Sequence, residues 1–137
     1  MPHMSDAPAI GRLGDVVLDC PDPAALARFY QALLGLVVVD SDDSWVTLGG
    51  GPGPTLSFQR VERYLPPRWP SRRRAQQLHL DVEVTDLLAA DAQARAAGAR
   101  PLTEVRSTGS APWRVYADPA GHPFCLVTAK PESSLGE

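Results

Sequence analysis

The richest chemistry sits in one short stretch, Leu78-His79-Leu80-Asp81-Val82-Glu83-Val84. Apolar and polar residues alternate there with period two. This predicts a strand whose apolar set (Leu78, Leu80, Val82, Val84) faces the helices, with His79, Asp81 and Glu83 on the opposite face. Residues two apart on one strand face have side-chain bases roughly 6–7 Å apart. His79 and Asp81 are therefore close enough to share a proton network and to act as acid and base on a bound substrate. Imidazole titrates near neutral pH, which suits proton transfer. The same alternation also describes the solvated outer face of an antiparallel sheet, with His79 hydrogen-bonded to a neighbouring strand.

Other reactive patterns are absent. The glycine-rich run at 49–54, GGGPGP, leads into a strand and not into a helix opening with Lys-Ser/Thr, so it is no phosphate cradle. Neither a GxSxG elbow nor an HExxH helix occurs. Arg68, Arg72, Arg73 and Arg74 crowd around Trp69 in a proline-rich stretch. They read as a solvated loop, or as an attractor for a carboxylate. Trp69 reads as a lid over a cavity, or as a pin for that loop.

The elements that position these residues recur. GDVVLDCPDPAALARFY at 14–30 and LHLDVEVTDLLAADAQA at 78–94 share one plan at a shift of 64: short strand, acidic cap, helix. Asp15 falls on His79, and Asp22 on Asp86. Farther along, a shift of 68 puts Trp45 on Trp113, Gly53 on Gly121 and Ser57 on Cys125. About four extra residues are expected in the second half, near 104–112. Asp22 caps a helix with Pro23 at its first position, and Gly35 ends it. Leu26, Phe29, Tyr30 and Leu33 form one apolar stripe. Thr85 or Asp86 caps the second helix, and Gly98 ends it. The expected organisation is a disordered or tag-derived N-terminus at 1–9 and a first module at 10–65. A Pro/Arg-rich linker follows at 66–76, then a second module at 77–129 and a flexible tail at 130–137.

Composition narrows the function. The 137 residues carry 13 basic and 16 acidic side chains, net −3, so nucleic acid and anionic membranes are poor partners. No apolar run approaches the roughly 20 residues of a membrane helix. With two cysteines, no CxxC pair and no secretory pattern, the expectation is a cytoplasmic protein with reduced thiols.

The order of strand, Pro-Asp-Pro, Phe-Tyr and Leu-Gly, then HLDVEV-T-DL, then YADPAGHPFCLV resembles the vicinal oxygen chelate superfamily. That group includes glyoxalases, bleomycin-resistance proteins and ring-cleaving dioxygenases. LSFQRV at 56–61, PPRW at 66–69 and QLHLDV at 77–82 are similar to its small bacterial glyoxalase-like members. The resemblance spans about residues 10–128. It implies an α+β fold of two βαβββ modules forming an incomplete barrel around a shared cavity, with the polar strand faces turned inward. It also implies four ligand positions on the first and last strands of the modules: Asp15, Ser57, His79 and Cys125. Ser57 is a poor ligand, and Cys125 stands where the family usually has Glu.

The expected function is binding of a small aromatic or hydrophobic molecule without a metal, as in sequestration. His79 and Asp81 are the catalytic candidates. Asp15, Ser57, Gln59, Trp69 and Arg114 are the ligand-binding candidates. The alternative is a lyase or isomerase working through His79 and Asp81, or through a divalent metal on Asp15, His79 and Cys125. His122 reads as support for its turn, and Phe58 as core. A homodimer is expected from the exposed sheet edges of an unclosed barrel.

Overall fold

A computed structural model describes residues 8–9, 11–71, 73 and 77–128. Arg72, Arg74, the first seven residues and the 130–137 tail lie outside the described residues.

The first module runs β1 (Asp15–Cys20), α1 (Pro23–Leu34), β2 (Val37–Asp42), β3 (Trp45–Gly49) and β4 (Thr55–Arg60). The second runs β5 (Leu80–Val84), α2 (Leu87–Ala97), β6 (Arg100–Pro101), β7 (Arg106–Thr108), β8 (Ala111–Ala117) and β9 (Pro123–Thr128). Each module makes one sheet, ordered β1-β4-β3-β2 and β5-β9-β8-β6, with β7 also on β8. In both sheets the first strand lies parallel to the last. The insertion expected in the second half falls where β2 has its counterpart: that long strand is replaced by the short β6 and β7.

The caps follow from residue type. The Asp22 side chain accepts from the Ala25 amide, and the Asp86 side chain from the Ala89 amide. Gly35 closes α1 at φ 71°, a left-handed backbone that costs glycine little. Gly53 and Gly121, one repeat apart, both hold positive φ, at 85° and 93°.

The core joins the two modules. Tyr30 of α1 stacks on Phe58 of its own sheet, with ring centroids 5.5 Å apart. Tyr30 and Phe29 also meet Phe124 of the other sheet, at 6.4 and 5.7 Å. Phe58 is core, as its alternation with Ser57 and Gln59 requires. Leu80, Val82 and Val84 pack against this core. Leu78 and His79 differ from expectation: both precede β5 and both are exposed.

The edge strands β1 and β5 lie along the same side of the molecule and line shared crevices. Val16 shares a crevice of about 520 Å³ with Leu80, Asp81 and Val82. Asp19 shares another with Gln77 and Leu78. β1 and β5 thus border common crevices, and neither sheet closes on itself. No described helix is long and apolar enough to cross a membrane.

Candidate functional site

On the first sheet, Asp15, Ser57, Thr47 and Trp45 share the face opposite the helices, because each alternates with a core residue. They form a directed chain. Trp45 Nε1 donates to Thr47 Oγ1 at 2.8 Å. Thr47 and Ser57 hydroxyls lie 2.7 Å apart. Ser57 Oγ lies 2.9 and 2.8 Å from the Asp15 carboxylate oxygens. A carboxylate only accepts, so the Ser57 proton points to Asp15 and Thr47 donates to Ser57. Thr55 Oγ1 adds a second contact to Asp15 at 2.8 Å. Ser57 is fully buried and fully used.

At the second sheet, His79 stands just before β5, and its Nε2 lies 3.2 Å from Asp81 Oδ1, with side chains 42% and 57% exposed. Cys125 sits directly across from Asp81 in the parallel β5–β9 pair. The ligand atoms of His79, Asp81 and Cys125 lie within 4.8 Å of one another. Burial pushes the Cys125 thiol up to about 11, and the Asp81 carboxylate adds to the rise.

The cluster differs from the expected ligand set. Asp81 joins His79 and Cys125, while Asp15 is occupied on the other sheet by Ser57 and Thr55. The donors present are one imidazole nitrogen, one carboxylate oxygen and one sulfur, the types that zinc accepts with a fourth position open. A tetrahedral ion with bonds near 2.0–2.3 Å wants donors roughly 3.5 Å apart. The set therefore fits in kind.

The remaining candidates scatter. Gln59 is exposed on the Asp15 face, and its carbonyl accepts from the buried Cys20 thiol at 3.6 Å. Arg114 lies on the helix side of its sheet. It donates to Asp91 of α2 at 3.1 Å and to the Thr103 carbonyl at 2.8 Å, because it alternates with Val115 and Trp113. Trp69 lines a separate groove with Arg68 and Arg100. His122 supports its turn, as expected: its amide donates to Asp118 Oδ1, and its Nε2 lies 2.6 Å from the Asp19 carbonyl.

Sequence reasoning missed Thr47, Thr55 and Arg106. Thr47 was legible, since it shares the parity of Trp45. Arg106 was not, because its strand is only three residues long. Its guanidinium lies 5.7 Å from the Trp113 ring centre, on the face shared with Cys125.

Several solved structures share this architecture. One is a glyoxalase/bleomycin resistance protein/dioxygenase family enzyme from Burkholderia phytofirmans PsJN (TM-score 0.72, 18% identity, 88% of this chain and 100% of that one). Another is a glyoxalase-related enzyme from Fulvimarina pelagi (0.68, 18%, 88% and 89%). A third is a lactoylglutathione lyase from Agrobacterium tumefaciens (0.61, 18%, 90% and 96%). At these identities the likeness carries the fold alone. No curated protein sequence matches the chain. The family model described as a glyoxalase-like domain matches residues 15–127, from the first residue of β1 to the last strand. The chain therefore belongs to the glyoxalase-like domain family, within the vicinal oxygen chelate superfamily.

Proposed function

We propose that the chain binds a small organic molecule, aromatic or hydrophobic in its main body, in the trough between the modules, and does so without a metal. His79 and Asp81 contact the polar group of that molecule. One contrast between the sheets carries this reading. On the first, the polar groups Trp45, Thr47, Ser57 and Asp15 satisfy each other. On the second, His79 and Asp81 lie 3.2 Å apart, Asp81 also faces the Cys125 thiol, and both keep about half of their surface open. Polar groups held in a concavity with spare hydrogen-bonding capacity are what a ligand site offers.

The cluster of His79, Asp81 and Cys125 favours a second reading, a lyase or isomerase. These three residues would hold a divalent ion, which would supply Lewis-acid polarisation of a substrate oxygen. Without it, His79 still has an acid–base role. Its Nε2 faces Asp81, so Nδ1 is left to take a proton from one atom of a bound substrate and return it to another.

Elemental analysis and native mass spectrometry of the purified full chain separate the two. The binding reading predicts substoichiometric metal, together with a copurifying organic molecule whose occupancy drops in His79→Ala. About one tightly held metal per chain, lost in His79→Ala, would overturn it in favour of the metal enzyme. The proposal includes a homodimer, since Val37, Val38 and Val39 are all exposed on the edge strand β2. Analytical ultracentrifugation should read a dimer at micromolar concentration; a monomer there contradicts it.

A further inference from the structure

The arginines beside Trp69 are left unexplained by the trough. Arg68 and Trp69 line a groove of about 610 Å³, together with Arg100 of β6, Leu102 and the turn at 119–121. That is the size range of small-molecule sites. No Asp or Glu occurs among the described residues lining it, so two guanidinium groups set its charge.

Its walls are held in place. Tyr64 Oη donates to the Ala120 carbonyl at 2.9 Å, tying the start of the loop to the turn. A side chain at Gly121 would meet the Pro66 Cβ at 2.8 Å, so loop and turn touch with no space between them. Pro66, Pro67 and Pro70 fix φ along the loop. The turn is pinned by Asp118, whose Oδ1 accepts from the Ala120 and His122 amides. Little ordering is left for a ligand to impose.

The groove is also separate from the His79 cluster. Arg100 pairs with Ala117 of β8, three strands from β5 in the order β5-β9-β8-β6. At the usual strand spacing that is roughly 14 Å. The groove and the cluster share no lining residue.

We propose that this groove is a second binding site, for a small planar carboxylate. The Trp69 indole stacks on the ring of the ligand, and Arg68 and Arg100 take its carboxylate. A guanidinium fork matches a carboxylate in geometry and charge.

Calorimetric titration of the full chain with 2-naphthoate and its uncharged amide tests this. The naphthoate should bind the parent chain about tenfold or more tighter than the amide. Arg68→Gln/Arg100→Gln should bring the naphthoate down to the level of the amide, and His79→Ala should leave it unchanged. Both arginines are exposed, and a thermal melt checks that the double variant folds. If it does not, Arg68→Gln and Arg100→Gln made singly decide, each expected to weaken the naphthoate and leave the amide unchanged. Equal binding of acid and amide, no binding of the acid, or unchanged binding in the folded double variant overturns the proposal. Loss of naphthoate binding in His79→Ala overturns it too, because the ligand then lies in the trough. Failure here leaves the trough reading untouched, since that reading rests on His79 and Asp81.

Discussion

Burial and the neighbouring Asp81 carboxylate raise the Cys125 thiol to about 11, and burial raises Cys20 to a similar value. Both thiols are therefore protonated at pH 8 and poor nucleophiles. A disulfide-exchange reagent at pH 8 should label the folded chain slowly and then release two equivalents in denaturant. Fast stoichiometric labelling of the folded chain contradicts this. Asp81→Asn removes a negative charge beside the thiol and should lower the Cys125 value, read from the pH dependence of alkylation in a Cys20→Ala background. Much of this chemistry was legible before the structure. The alternation at 78–84 placed His79 and Asp81 together, and the repeat placed Cys125 on a last strand. The choice of Asp81 over Asp15 was not legible. It depends on Ser57 and Thr55 engaging Asp15, a contact between strands 40 residues apart in sequence. Arg114 went astray for a related reason. Its side of β8 follows from register with β9, which the short sequence window does not reveal.

At the scale of elements, the turn at 118–122 does more than reverse the chain. Asp118 Oδ2 accepts from the buried Tyr30 hydroxyl at 2.7 Å, linking the second module to α1 of the first. His122 Nε2 adds contacts to the Asp19 carbonyl and to the Tyr64 hydroxyl. A carbonyl only accepts, so Nε2 carries the proton. Burial raises the Asp118 carboxyl above its ordinary value, with the Tyr30 and backbone hydrogen bonds opposing that rise. The folded state then holds this proton more tightly than the unfolded chain. Its contribution is fully present below the unfolded value near 4 and is lost as pH rises through the folded one. Tyr30→Phe leaves a buried carboxylate oxygen without its donor, which costs about 1–3 kcal/mol. Because the hydroxyl favours the charged form, urea unfolding should show a larger loss at pH 7 than at pH 4. An equal loss at both contradicts the assignment. The Asp-Pro-x-Gly signature announced a turn in the sequence, but nothing in the sequence named Tyr30 as its partner.

For the whole molecule, the two modules are one folding unit. Phe124 of the second sheet touches Phe29, Tyr30 and Tyr116, drawn from both modules. Phe124→Ala should cost about 3–5 kcal/mol. Calorimetry should show a single transition in the parent chain, with van't Hoff and calorimetric enthalpies equal; two resolved transitions contradict a shared core. The repeat was readable because caps, glycines and alternation are local signals. How the two modules meet was not, since only the packing of α1 against both sheets fixes it. The central claim is that the proposed trough between the modules holds a small organic molecule at His79 and Asp81. The direct measurement is NMR of the full chain, with the histidine side chains labelled, against a defined set of planar acids, ketones and phenols. The account predicts compounds that shift the His79 ring together with the amides of Asp81 and Cys125, and that bind about tenfold more weakly in Asp81→Asn. If His79 stays unmoved by every compound, or all binders map only to other surfaces of the folded chain, the account is contradicted.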